Sequence, residues 1–427
     1  MLKETPKWYR SRGYLHFDLP INQEKATLLV TSPSRVAKHP FFPLISYVVL
    51  SKKISKDQST GTLNVVTKDR PIAYSAHKDS HIYAYYSQIL SEKYEKELIK
   101  NNLQDSILAF RELGKSNIDF AYEAFCRIKS LGECSAVALD FSKFFDTLDH
   151  DLLKKSWANL LGKQKLPTDH FNVYKSLTKY SKVDKATLYK ALSISINNPK
   201  NGRFRVCNAS EFRSMVRDKG LIETNKSRYG IPQGSPISAL LSNIYMLEFD
   251  KEMKRFVDIY NGYYYRYCDD MLFIVPTELR NTVAGFAAKH VKALKVSINP
   301  KKTELRSFKK VGDTLISEQM LQYLGFMFDG ENIYIRSSSL ARYSEKMKRG
   351  ISLAKQTMRK YNCIRADKGA TEKELFKKKL YSRYTHLGAK NFITYGLRAA
   401  KKMDNSKTIR RQLKPLWQRF HEEINRD

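Results

Sequence analysis

Apolar and polar positions fall into blocks along this chain, and the blocks predict both strands and helices. Residues 44–50 (LISYVVL) form a continuous apolar run and read as a buried strand. Residues 68–74 (KDRPIAY) read as a short strand that passes into a helix, because Ile82, Tyr85, Tyr86, Ile89, Leu90 and Tyr94 recur near every 3.6 residues. The stretch 103–130 reads as helical as well. Residues 135–139 (SAVAL) form a short strand, and Asp149 can cap a helix starting at His150. Residues 163–228 are polar and Lys-rich without a strong period, so they read as an insertion of helices and loops. Positions 240, 241, 244 and 247 place a helix over 238–255. Residues 263–267 and 271–275 are strand-like runs on either side of an acidic pair, the pattern of a hairpin. Residues 279–295 read as helix, 321–335 as strands, and the chain from about 340 onward as basic helices.

Charge changes the picture more than composition does. Hydrophobic residues make up 42% of the 427, enough for a sizeable core, which excludes a disordered chain. Lys and Arg number 76 against 43 Asp and Glu, a formal net charge of +33, which favours polyanionic partners. Residues 341–427 alone carry 24 Lys and Arg against 8 Asp and Glu. Among those cations lie Tyr343, Tyr361, Phe376, Tyr381, Tyr384, Phe392, Tyr395 and Trp417. Cations that meet phosphates, beside rings that stack on bases, predict a lobe facing nucleic acid. Five cysteines without a CxxC pair predict a reducing compartment and no structural zinc. No apolar run approaches the length of a membrane span, and no apolar leader opens the chain, so a cytoplasmic protein is expected.

Three segments carry candidate chemistry. Asp269 and Asp270 sit side by side between two strand-like runs (YCDD), where like charges repel unless a cation lies between them. Asp140 ends an apolar strand, where a carboxylate is costly unless it binds something. Together the three offer hard oxygen ligands for two Mg²⁺ ions, the arrangement used for in-line phosphoryl transfer. Residues 229–243 (YGIPQGSPISALLSN) form a Gly/Pro loop opening onto a helix, and a Gly there lets backbone approach a ligand closely.

In their order these segments resemble the motifs of reverse transcriptases. LDFSKFFDTLDH (139–150) is similar to motif A, GIPQGSPISALLSN (230–243) to motif B and YCDD (267–270) to motif C. LKVSINPKKTEL (294–305) resembles motif D, LQYLGFMF (321–328) motif E, and KDRPIAY the basic fingers strand. The resemblance covers about residues 40–335. Bacterial group II intron, retron and abortive-infection enzymes are the lineage it most resembles. Residues 8–18 (WYRSRGYLHFD), with no accessory domain expected, look like a defence-associated reverse transcriptase of type 2, the kind encoded beside a noncoding RNA.

The resemblance implies an α+β right-hand polymerase fold. Fingers would span residues 1–125, a palm with a small antiparallel sheet 126–335 (including the polar insertion at 163–228), and a basic helical thumb 336–427. It implies RNA-directed DNA synthesis with two Mg²⁺, for which Mn²⁺ can substitute. Asp140, Asp269 and Asp270 would be the catalytic, metal-binding triad, with the Phe141 carbonyl reaching a metal. Lys68 and Arg70 would grip the triphosphate, Phe145 would exclude a ribose 2′-hydroxyl, Gln233 would flank the nucleotide, and Lys302 would meet the leaving pyrophosphate. Gly234, Ser235 and Pro236 would lie along the template, Leu324 and Gly325 would hold the primer, and Lys377, Lys378 and Lys379 would face the duplex. Implied partners are deoxynucleotides, an RNA–DNA duplex and a structured noncoding RNA template, with no membrane. His81, His150 and His170 read as packing or polar surface residues, Cys268 as an apolar filler, and Asp146 as a residue with no catalytic role. Three rivals stand beside this reading: untemplated DNA synthesis, RNA-dependent RNA synthesis, which Asp146 would suit, and a non-catalytic RNA-binding scaffold.

Overall fold

Strand β3 (Cys134–Asp140), the run read as SAVAL, is the middle strand of the largest sheet among the described residues. The computed structural model describes residues 5–56 and 62–426. Around β3 the chain supplies β6 (Tyr263–Tyr267), β7 (Asp270–Val275), β8 (Glu304–Val311) and β9 (Thr314–Ser317), which form a five-stranded sheet in the order β6-β7-β3-β8-β9. Every pairing in it is antiparallel.

Period-two alternation divides this sheet between two cores. Val137, Leu139, Met271, Phe273 and Val275 point into one core, shared with the long helix Ser238–Ile259 and the helices His77–Lys100 and His150–Leu160. Cys134, Ala136, Leu272 and Ile274 point into a second core. That core is closed by helix Asn117–Leu131, by a three-stranded sheet of β10 (Leu321–Tyr323), β11 (Phe326–Phe328) and β12 (Ile333–Ile335), and by the C-terminal helices. The C-terminal helices are Ser337–Ala366, Lys377–Tyr384, Phe392–Lys402 and Lys407–Asn425. They contribute Met347, Ile351, Leu413 and Phe420 to the same core, so this basic segment is packed on the sheet rather than trailing from it.

The remaining strands build a separate sheet. β1 (Leu44–Lys56) pairs antiparallel with β2 (Leu63–Tyr74) and, at its start, parallel with β4 (Ser181–Asp184), which pairs with β5 (Glu223–Thr224). Residues from the polar stretch, among them Val183, Leu188, Val206 and Val216, pack with Leu15, Phe17 and Ile45 into a third core.

Two expectations need correction. The run 44–50 is a strand, but only Leu44 and Ile45 are buried, while Val48, Val49 and Leu50 are 52%, 45% and 67% exposed. Beyond Ser46 the strand has left β4 and continues paired with β2 alone, which leaves Val48–Leu50 in solvent. The stretch 103–130 is helical only from Asn117 to Leu131. Upstream, Leu108 N–H donates to the Arg266 carbonyl and Arg266 N–H to that of Ser106, so the segment extends along β6 instead of coiling. Among the described residues, no helix is long and apolar enough to cross a membrane.

Candidate active site

The register of β3 and β7 sets Asp140 directly opposite Asp270. Both positions fall on the sheet face shared by Ala136, Leu272 and Ile274, so alternation alone aims the two carboxylates the same way. Asp269 stands in the two-residue turn between β6 and β7, where Cys268 adopts a left-handed conformation at φ 59°. Asp140 is buried, whereas Asp270 is open on one side and crowded by protein on the other. Desolvation, then the negative charges of Asp269 and Asp140, push the Asp270 carboxyl up to about 7.

A cation already answers part of this charge. Lys302 Nζ lies 2.6 Å from Asp140 Oδ1. Lys302 ends a one-turn helix, Pro300–Lys302, capped by Asn299. That turn is held against the end of β3, because Asn299 N–H donates to the Asp140 carbonyl at 2.7 Å and Ser142 N–H to the Ser297 carbonyl at 2.8 Å. The bridge between Phe141 and Ile298 therefore runs through the backbone groups of their neighbours and not through the Phe141 carbonyl. The Phe141 ring is buried and stacks on Phe144 at 4.9 Å.

The Gly/Pro loop is stitched to the segment after β3. Ile231 N–H donates to the Phe145 carbonyl and Gly230 N–H to that of Leu148. His150, read as packing or surface, is buried, and its Nε2 lies 2.8 Å from the Gly230 carbonyl. Phe145 is half-buried with its ring edge on Phe144. Burial raises the Asp146 carboxyl, and the nearby Gln233 side chain offsets this in part. The loop also meets β2, because Ala73 N–H donates to the Gln233 carbonyl at 2.7 Å. Gly234, at φ 110°, leaves no room there, since a Cβ would stand 2.6 Å from the Ala73 carbonyl oxygen. Ser235 is buried with its hydroxyl unpartnered, and Pro236 is half-buried.

Other expected residues lie further out. Lys68 and Arg70 are exposed on β2, five and three residues before Ala73. Leu324 and Gly325 form the tight turn between β10 and β11, at φ 45° and 92°, the left-handed pair that a type I′ turn requires. Asn117 Nδ2 donates to the Leu324 carbonyl at 3.1 Å and to the Tyr395 hydroxyl at 2.8 Å, tying this turn to the C-terminal helices. Lys377, Lys378 and Lys379 are exposed at the start of their helix. The structure thus gathers Asp140, Asp269, Asp270 and Lys302 at one strand end and lays the 230–236 loop beside Phe145. It brings neither Lys68 and Arg70 nor Lys377–Lys379 into bonding contact with that cluster.

Sequence reading missed two supports. Arg266 on β6 is fully buried in a forked ion pair with Asp250, Nε to Oδ1 at 2.7 Å and Nη2 to Oδ2 at 2.6 Å. Its Nη1 donates to Asn243 Oδ1 at 3.0 Å and to the Cys268 carbonyl at 3.1 Å, which holds the acidic turn in place. The available signal was an Arg at an inward position of the strand YYYRY. Tyr323 is the second support: it is buried near Asp270 with its hydroxyl unpartnered.

Among the described residues, no group of three or more His, Cys, Asp or Glu is drawn together tightly enough to hold a metal ion as it stands. The donor set nevertheless suits one. It is carboxylate oxygen throughout, the hard-ligand chemistry of Mg²⁺, and the raised Asp270 carboxyl marks negative charge that Lys302 only partly offsets.

A family model described as reverse transcriptase (RNA-dependent DNA polymerase) matches residues 60–328. No curated protein sequence matches the chain. Among solved structures, a telomerase from Candida tropicalis lacking its C-terminal domain is 13% identical, with a TM-score of 0.39, over 74% of this chain and 60% of its own. A Candida albicans telomerase in complex with a TWJ fragment of telomeric RNA is 11% identical, with a TM-score of 0.40, over 93% of this chain and 66% of its own. The chain thus spans less than two thirds of the length of either.

Proposed function

The chain belongs to the reverse transcriptase family, and from that premise we propose that it is an RNA-directed DNA polymerase whose reaction centre is Asp140, Asp269 and Asp270. The observation that carries this reading is the direct pairing of Asp140 with Asp270 across two strands, with Asp269 in the adjoining turn. Two Mg²⁺, or Mn²⁺ in their place, held by these carboxylates and the Phe141 carbonyl, would lower the pKa of the primer 3′-hydroxyl and stabilise the leaving pyrophosphate.

The chain's own residues then take the following parts. Lys302, poised on Asp140, offers its ammonium to the pyrophosphate as that charge develops. The Phe145 ring, fixed through its carbonyl by Ile231, occupies the space of a 2′-hydroxyl. Gln233 flanks the nucleotide, Gly234 with Ser235 and Pro236 lies along the template, and Lys68 and Arg70 reach the triphosphate from β2. The Leu324–Gly325 turn holds the primer end, and Lys377–Lys379 grip duplex phosphates. On this reading residues 1–125 are fingers, 126–335 palm and 336–427 thumb, with β4 and β5 of the inserted stretch joining the fingers sheet.

The finer reading is a bacterial, cytoplasmic enzyme of antiphage defence that copies a dedicated structured noncoding RNA. Its support is the sequence resemblance around residues 8–18 and a net charge of +33, more than a duplex channel alone requires. A second reading, RNA synthesis, is favoured by Asp146, whose backbone lies against Gly230, next to the loop expected to flank the nucleotide.

The test is extension of a DNA primer on RNA templates that differ at one base, with single deoxynucleotides or ribonucleotides. Addition of only the complementary deoxynucleotide supports the proposal. Addition indifferent to template base supports untemplated synthesis, preference for ribonucleotides supports the second reading, and no addition leaves a binding scaffold.

A further inference from the structure

A cavity of about 540 Å³ opens between the N-terminal segment and residues 205–217, and it shares no lining residue with the acidic cluster. Its walls are joined where Val206 N–H donates to the His16 carbonyl at 2.8 Å. Four cations line it: Lys78, Arg205, Arg213 and Arg217. Its one lining acid, Asp18, is buried and committed elsewhere, since Oδ1 accepts from His77 N–H at 2.8 Å and Oδ2 from Lys78 N–H at 2.9 Å. Nearby Glu211 is likewise engaged, accepting from Asn208 N–H at 2.8 Å. Among the described residues, none of the four cations makes an ion pair, although 17 such pairs are formed elsewhere. Converging like charges around a cavity are unfavourable unless an anion lies among them.

Aromatic rings complete the wall. Phe212 meets Phe17 edge-on at 4.9 Å, and the Arg217 guanidinium lies over the Phe212 ring at 5.8 Å. Guanidinium groups bond phosphate oxygens in pairs, and an Arg plane or a ring accepts a stacked base. The volume lies within the range of pockets that hold one small ligand.

We propose that this cavity is a second nucleic-acid site, which seats one phosphate-bearing nucleotide of a single-stranded RNA away from the reaction centre. The proposal rests on the reading of the chain as an RNA-copying enzyme. It supplies an anchor by which template RNA is held while its other end is copied.

The experiment uses the full chain and a labelled single-stranded RNA oligonucleotide, titrated at several salt concentrations. Arg205→Gln/Arg213→Gln/Arg217→Gln should weaken binding at least tenfold near physiological salt. It should also flatten the log–log salt slope by about 0.7, the contribution of the one single-strand phosphate contact that the cavity would lose. The single charge reversal Arg213→Glu should act in the same direction. Addition of one deoxynucleotide to a pre-annealed, saturating primer–template should change less than twofold. Unchanged affinity and slope would overturn the proposal. So would a matching loss of single-nucleotide addition, because the cavity would then belong to the duplex track. RNA binding needs no catalysis, so failure here is separable from failure of the polymerase reading, which shows only in nucleotide addition.

Discussion

Lys302 Nζ and Asp140 Oδ1 stand 2.6 Å apart, across 162 residues of sequence. The contact exists because backbone bonds from Asn299 and Ser142 fasten the Pro300–Lys302 turn to the end of β3. Lys302 also lowers the pKa of Asp270, against the upward push of burial and of the two neighbouring carboxylates. One ammonium therefore offsets carboxylate repulsion at rest, and on the proposed reading it would also meet the leaving pyrophosphate.

Lys302→Met should lower the maximal rate of nucleotide addition by about a hundredfold, the scale of a lost acid or countercharge. It should also move the acid limb of the pH–rate profile to higher pH, because Asp270 loses the charge that favours its ionised form. Lys302→Arg should restore the position of that limb. Steady-state rates from pH 6 to 9 at fixed metal check this, and a profile unmoved by Lys302→Met would remove Lys302 from the site.

Asp270 makes stability depend on pH with a definite sign. Its carboxyl is raised from 3.8 to about 7 in the folded chain. Between those values the unfolded chain has released this proton and the folded chain keeps it, so this group lowers stability as pH rises from about 4 to about 7. In EDTA, Asp270→Asn should leave urea midpoints unchanged near pH 4 and raise them near pH 8. A midpoint difference that shrinks with rising pH would contradict the crowding of the three carboxylates.

Asp250→Ala should destabilise the chain by about 3–5 kcal/mol, the usual cost of leaving one member of a buried ion pair alone. Arg266 and Asp250 are both fully buried, and Arg266 also holds the Cys268 carbonyl. Activity should fall further than stability accounts for at low temperature, because the acidic turn loses its anchor. Equilibrium urea unfolding measures the first effect and nucleotide addition at 10 °C the second. A loss of stability under 1 kcal/mol would mean the pair is not the support described.

Phe145→Ala should raise ribonucleotide relative to deoxyribonucleotide addition at least tenfold, because excluding a hydroxyl depends on leaving it no room. The ring is half-buried and edge-on to Phe144, while the Phe145 backbone is fixed by Ile231 N–H, so truncation removes the ring without freeing the backbone that carries it. Competitive incorporation on one template reads the ratio. An unchanged ratio would make Phe145 a packing residue and favour Asp146, beside the 230–236 loop, as the group that meets the sugar.

Much of the candidate site was legible because its parts obey local rules. A tight hairpin bearing an acidic pair declares itself through alternation, and a Gly that opens onto a helix declares close backbone approach, although at Gly234 the neighbour is the chain's own Ala73 carbonyl and not the ligand expected. What the sequence concealed depends on partners distant in the chain. Residues 106–108 have helical composition, yet their backbone groups are taken by Arg266. The apolar run 44–50 cannot reveal that its partner β4 departs after Ser46 and leaves Val48–Leu50 in solvent. Arg266 resembles any strand arginine until Asp250 is found beneath it. Residues 181–224 look polar because their few apolar side chains complete a core begun by Leu15, Phe17 and Ile45.

Metal-dependent addition of a single labelled deoxynucleotide to a primer annealed on RNA, compared between the wild-type chain and Asp269→Ala/Asp270→Ala, tests the central claim most directly. The variant removes two carboxylates from a crowded turn, so it should fold with equal or greater stability. The account predicts Mg²⁺- or Mn²⁺-dependent addition by the wild type and a loss of at least a thousandfold in the folded variant. Wild-type rates from that variant would contradict the assignment of Asp140, Asp269 and Asp270 as the reaction centre.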